Sequence, residues 1–192
     1  MIETLYPIFR HWSAKGSVYL YSDPHFSDEE MKYLRPNYIG DEEQIQHINA
    51  IVQKNDTIIF LGDIGNVEYI SQLKSQYRIL ITGNHDAGNK IYEPYFNEIY
   101  NGPLFISDKL ILSHEPLNLT YAYNIHGHIH DINHINDMYH LCLSAEMINY
   151  TPVSLKNIIN AGVLKNIDNI HRQTIDEQTR KKAFKDSRLL IS

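Results

Sequence analysis

The chain has little from which a disulfide framework, a membrane anchor or a nucleic-acid grip could be built. A single cysteine, Cys142, occurs in 192 residues, so no intrachain disulfide can form and a reducing, cytoplasmic location is expected. Flanked by Leu141 and Leu143, it reads as a buried thiol. No apolar run approaches the roughly 20 residues of a membrane span. The N-terminal stretch, where Pro7 interrupts Tyr6, Phe9, Arg10, His11 and Trp12, lacks a charged-then-apolar signal pattern. Positive charge is short as well. With 17 Lys and Arg against 23 Asp and Glu, the formal net charge is −6. That disfavours a general electrostatic hold on duplex nucleic acid or anionic membrane, although a short or single-stranded end could still be drawn to a local positive centre. The sequence has no repeats, low-complexity tract or linker, so one domain over residues 1–192 is expected. Nothing in it sets the oligomeric state.

What the chain has is histidine, 11 in all. Three of them, His126, His128 and His130, alternate through residues 124–130. If strand geometry persists there, all three project to one face, a candidate metal edge for neutral imidazole ligands.

Apolar runs at residues 18–21, 57–61 and 78–81 have strand length and no polar interruption, as in strands covered on both faces. Each releases into polar groups: Asp23-Pro24-His25, Gly62-Asp63, and Gly83-Asn84-His85-Asp86. Between them, Asp41 is a fair helix N-cap with Gln44 in capping-box position, and Ile45, Ile48 and Val52 follow at helical spacing. Val67, Ile70 and Leu73 suggest a second helix capped by Asn66. Ile91, Tyr92, Tyr95, Phe96 and Ile99 predict a helical packing stripe. Residues 104–106 and 109–112 predict a hairpin whose second strand exits into Ser113-His114. A further strand is expected over 138–145, a short helix over 154–159, and a charged, solvated helical tail over 162–192. Strands alternating with helices, with polar groups after each strand, make an α/β pattern whose ligands bind at the strands' carboxyl ends.

Collected, the strand-end residues are Asp23, His25, Asp63, Asn84, His114, His128 and His130. This set is too rich in oxygen for a thiolate-type site and too rich in nitrogen for a Mg²⁺ or Ca²⁺ cage. Seven donors exceed what one ion needs and suit two ions sharing a carboxylate. Paired ions about 3.5–4 Å apart can clamp an in-line phosphoryl displacement and acidify a bridging water into the attacking hydroxide.

As an ordered set, Asp23-Pro24-His25, Gly62-Asp63, Gly83-Asn84-His85-Asp86, Ser113-His114 and Gly127-His128-Ile129-His130 resembles the calcineurin-like metallophosphoesterase superfamily, most closely its small, stand-alone bacterial or phage-type members. The resemblance implies a four-layer α/β/β/α sandwich, two mixed β-sheets flanked by helices. It implies a first metal held by Asp23, His25 and His130, a second held by Asn84, His114 and His128, and Asp63 bridging both. His85 would contact the phosphate with Asn84 and protonate the leaving oxygen, with Asp86 orienting its imidazole. The family often carries a second aspartate three residues after the bridging one. Here that position is Asn66, which leaves leaving-group protonation the least supported step. His126 has no metal role in the motif and is expected to support a ligand or touch substrate. The expected activity is hydrolysis of a phosphodiester, or of a phosphomonoester, in a small, nucleotide-like substrate. The ions would be Mn²⁺, with Zn²⁺, Fe, Ni²⁺ or Mg²⁺ as alternatives. A nuclease and a non-catalytic scaffold of the same fold are the competing readings.

Overall fold

The computed structural model describes residues 3–4, 8–35 and 37–168. Strands form where β-branched and aromatic residues run together. They are β1 (Glu3–Thr4), β2 (Val18–Tyr21), β3 (Thr57–Phe60), β4 (Tyr77–Ile81), β5 (Glu98–Tyr100), β6 (Leu104–Ser107), β7 (Leu110–Leu112), β8 (Tyr123–His126), β9 (His140–Cys142) and β10 (Val153–Ser154). They make two mixed five-stranded sheets, ordered β10-β2-β3-β4-β5 and β1-β6-β7-β8-β9. In the first, β2 to β5 are parallel and β10 pairs antiparallel with β2. In the second, β6 and β7 form the expected antiparallel hairpin and the other described pairs are parallel.

Helices α1 (Met31–Leu34), α2 (Asp41–Ile51) and α3 (Leu155–Asn160) and several 3₁₀ turns flank the sheets, giving the α/β architecture expected. Alternation sorts each strand's side chains. Leu20, Ile59, Ile79 and Ile81 meet Leu104, Leu110, Leu112, Tyr123 and Ile125 between the sheets. Tyr21, Ile58, Phe60 and Leu80 pack the other way, against Ile45, Ile48 and Val52 of the α2 region. Each fully buried aliphatic residue in these layers contributes roughly 1.5–3 kcal/mol. That packing keeps the polar strand exits in register at one rim.

Some expectations need correction. Asp41 is the first residue of α2 and Gly40 is its cap. The Asp41 carboxylate instead accepts from the Ser27 amide and the Tyr38 hydroxyl. Gln44 is buried, accepting from the Tyr21 hydroxyl and donating to the Pro24 carbonyl. Residues 91–99 form no helix. A 3₁₀ turn at Asn89–Ile91 is followed by β5, because the open edge of β4 takes up Ile99 as a strand partner. Tyr92 and Phe96 are buried, so their spacing marked packing and not helix. The strand expected over 138–145 is only His140–Cys142. Asn66 does cap the turn at Val67–Gln72, accepting from the Glu68 amide. Ile167 joins the inter-sheet core, and the rest of the expected charged tail, 169–192, lies outside the described residues. Among the described residues no helix is long and apolar enough to cross a membrane.

Candidate metal centre

Each strand that carries a site residue releases it within a few residues of its carboxyl end, and the chain bends sharply to do so. Asp23, His25, Asp63 and His128 all have positive φ, between 47° and 69°, a region L-residues seldom occupy. Such strain persists where packing over-determines it, and it clusters at functional sites. Two glycines permit the crowding. A Cβ on Gly83 would collide with the Asp63 carboxylate, and one on Gly127 with Ser22 and the Asp23 carboxylate.

The side chains gather in two groups. The donor atoms of Asp23, His25 and His130 lie within 4.8 Å of one another, with Asp23 Oδ1 3.5 Å from His130 Nε2. In the second group, Asn84 Oδ1 lies 2.8 Å from His114 Nε2 and 3.1 Å from His128 Nδ1. Those two imidazole nitrogens are 3.2 Å apart. Asp63 Oδ2 stands between the groups, 3.6 Å from His25 Nε2 and 3.3 Å from His114 Nε2. Asp23 and His114 also approach, at 3.9 Å, but through His114 Nδ1. That nitrogen donates to the Leu61 carbonyl at 2.7 Å, so it is not a free ligand atom.

The hydrogen bond to Leu61 makes the chemistry of the set legible. A carbonyl can only accept, so His114 carries its proton on Nδ1 and turns the Nε2 lone pair toward Asp63, Asn84 and His128. Buried His25 Nε2 has no hydrogen-bond partner among the described residues. Lone pairs facing lone pairs are repulsive unless a cation lies among them, and the residues fit one. Without an ion, the proton substitutes. Burial pushes the His114 pKa down, but its contact with Asp63 and the charges of Asp23 and Asp63 outweigh that and raise it to about 9. Burial tends to raise the Asp63 pKa, but the His114 contact and the His85 amide hold it below its ordinary value. Burial and the Arg35 guanidinium lower the His25 pKa.

His85 is exposed on the rim, its ring edge-on to His25 at 5.6 Å and its amide donating to Asp63 Oδ1 at 2.9 Å. Asp86 does not orient it. The Asp86 carboxylate accepts from the amides of Asp63, Ile64 and Gly83 and from the Tyr92 hydroxyl, at 2.7–3.0 Å, and so ties down the loop bearing Asp63. Asn66 is occupied as a cap, and among the described residues no carboxylate hydrogen-bonds the His85 ring. His126 needs the other correction. It ends β8 on the face opposite Ile125, is fully buried, and bonds the Gly127 carbonyl through Nδ1. Burial lowers its pKa to about 4. It packs against His134 and His140 and cannot reach substrate, because the alternation stops at Gly127 before His128 and His130 turn to the rim.

Three contributors escaped sequence reasoning. Ser144 donates to Asp23 Oδ2 at 3.1 Å. Glu146 meets His130 Nδ1 at 2.6 Å, and buried Arg35 lies between Glu146 and the Asp23 carbonyl. No spacing rule connects these positions to the histidines they serve.

A solved structure shares the fold. A protein of unknown function from Aquifex aeolicus superposes with a TM-score of 0.62 at 24% identity, covering 76% of this chain and 98% of that one. Nuclease MPE of Pseudomonas putida is a looser likeness, with a TM-score of 0.45, 19% identity, and 59% and 61% coverage. A comparison with curated proteins returned no match. The family model for calcineurin-like phosphoesterases matches residues 16–181, a span that takes in every strand exit described above. The chain therefore belongs to the calcineurin-like phosphoesterases, a family that typically binds divalent metals.

Proposed function

We propose that the protein is a phosphoesterase that works with two divalent ions and prefers phosphodiesters. The observation behind this reading is the convergence of imidazole nitrogen and carboxylate or amide oxygen donors in two groups joined by Asp63 Oδ2. Asp23, His25 and His130 would hold one ion, Asn84, His114 and His128 the other, and Asp63 both. When bound, such ions polarise the phosphoryl oxygens and acidify the attacking water. A mixed imidazole, carboxylate and amide set suits Mn²⁺ and also accepts Zn²⁺, Fe or Ni²⁺.

The chain's own residues supply the remaining steps. Asp63 faces the donor groups with Oδ2 and fixes the His85 amide with Oδ1, so one carboxylate sets both the ion seat and the position of the acid. His85, exposed beside His25, donates its proton to the departing oxygen. A cavity of about 240 Å³ adjoins Asn84 and His114 and is lined by Thr82, Asn101, Ser113 and Glu115, with no Lys or Arg. An uncharged ester substituent suits that lining better than additional phosphate charge, which supports a diester. Buried Cys142, the single cysteine, suits a reducing compartment.

The test is turnover of bis(p-nitrophenyl) phosphate and of p-nitrophenyl phosphate with Mn²⁺, before and after EDTA, by wild type and Asp63→Ala. Mn²⁺-dependent cleavage favouring the diester and lost in the variant is expected. Turnover that survives both EDTA and the substitution would refute the reading.

A further inference from the structure

The first donor group rests on a buried pair that the family match does not assign. Glu146 Oε1 lies 2.6 Å from His130 Nδ1, and its side chain is wholly buried. Its other oxygen, Oε2, lies 3.4 Å from Arg35 Nε, and neither of these two atoms has a hydrogen-bond partner among the described residues. The Arg35 guanidinium is buried too, and its Nη1 donates to the Asp23 carbonyl at 2.9 Å. Asp23 is one of the positive-φ residues, so that bond pins a strained backbone. Arg35 Nη2 also approaches His130 Nδ1, at 3.2 Å. A nitrogen that donates to a carboxylate at 2.6 Å cannot also accept, so the approach of Nη2 is a packing contact.

We propose that Arg35 and Glu146 form a positioning pair that sets the tautomer of His130. Glu146 holds the proton on Nδ1, which leaves the Nε2 lone pair facing Asp23 Oδ1. Arg35 keeps Glu146 in place and anchors Asp23, so one guanidinium controls two of the three donors in that group. Carboxylates that fix a ligating histidine in this way typically change metal affinity 10–100-fold when removed. The inference builds on the metal reading above, but its central claim concerns a proton position in the metal-free protein.

The carboxylate is required for a specific reason. Glu146 faces Arg35 as an ion pair with one oxygen and accepts from His130 with the other. In Glu146→Gln only one oxygen remains. Arg35 is a permanent donor and claims it, so the amide NH₂ faces His130 Nδ1 and drives the proton to Nε2. Adding Arg35→Met removes the competing donor and lets the amide oxygen turn back to His130. A nearly isosteric single substitution should therefore do damage that a second substitution partly reverses.

The measurement is ¹H–¹⁵N NMR of the histidine rings in metal-free wild type, E146Q and R35M/E146Q, with Mn²⁺ titration calorimetry on each. Expected are the Nδ1–H tautomer of His130 in wild type, the Nε2–H tautomer in E146Q, and return toward Nδ1–H in the double variant. Mn²⁺ affinity at one site should fall 10–100-fold in E146Q and partly recover in R35M/E146Q. A merely structural pair would give losses that add, with no change of tautomer. The Nε2–H form in wild type, or an unchanged tautomer in folded E146Q, overturns the proposal. If E146Q does not fold, the wild-type and double-variant spectra decide it, since both are expected to show Nδ1–H. Correct tautomers without ester cleavage would instead count against the proposed function alone.

Discussion

Asp86→Asn tests whether this carboxylate acts on the fold of the site or on the chemistry. In the wild type, Oδ2 accepts from the amides of Asp63 and Gly83, at 3.0 and 2.7 Å. Oδ1 accepts from the Ile64 amide at 2.9 Å and the Tyr92 hydroxyl at 3.0 Å. Asparagine can supply only one of those oxygens. The Tyr92 hydroxyl can rotate to accept, but on either side at least one backbone N–H then faces an NH₂ group. Hydrogen bonds to a charged acceptor are worth about 1.5–3 kcal/mol, and a buried unsatisfied amide costs about 1–3 kcal/mol. A loss of about 3 kcal/mol in folding stability is expected, against about 1–2 kcal/mol for Tyr92→Phe, which removes two neutral-donor bonds, one to Asp86 and one from the Ala87 amide. Because the loosened amides belong to the Asp63 loop, Mn²⁺ affinity should fall as well. Urea unfolding of metal-free protein and calorimetric titration with Mn²⁺ measure the two effects. Asp86→Asn with less than about 1 kcal/mol of destabilisation, unchanged metal affinity and an altered pH–rate profile would refute this reasoning and return Asp86 to His85.

Two other outcomes follow from the same geometry. His126 is buried neutral, its pKa lowered from 6.5 to about 4 by burial. Its contribution is therefore complete above pH 6.5 and is lost as pH falls toward 4, by up to about 3 kcal/mol at about 1.4 kcal/mol per pH unit. In metal-free protein His114, raised to about 9, acts in the opposite sense, its contribution being lost as pH rises from 6.5 to 9. Urea unfolding from pH 7.5 to 4.5 should be markedly less pH-dependent in His126→Gln than in wild type, and equal slopes would rule the assignment out. For His85→Asn, kcat should drop about 100-fold or more on alkyl phosphodiesters but far less on p-nitrophenyl esters, whose leaving group needs no proton. Equal losses on both substrates would remove His85 as the acid.

Much of the architecture and most of the rim could be read from the chain alone. Runs such as residues 57–61 have no polar face because sheet and helix cover both sides, and a carboxylate or imidazole directly after such a run has to emerge at the strand's end. Asp23, His25, Asp63, Asn84, His114, His128 and His130 were legible for that reason, as local features repeated at successive strand exits. The helix predicted over 91–99 was not realised, because an unpaired edge on β4 competed for Ile99 and a spacing pattern carries no information about a free edge. His126 could not be separated from His128 by sequence, since the close seating of Gly127 against Ser22 and Asp23 and the positive φ at His128 exist only in the folded chain. Only the folded chain brings Arg35 and Glu146 to His130 and turns Asp86 from His85 to the backbone amides of Asp63, Ile64 and Gly83. Candidate donors are set by where strands end, which is local, whereas the groups that orient them come from distant segments and meet only after both sheets have packed.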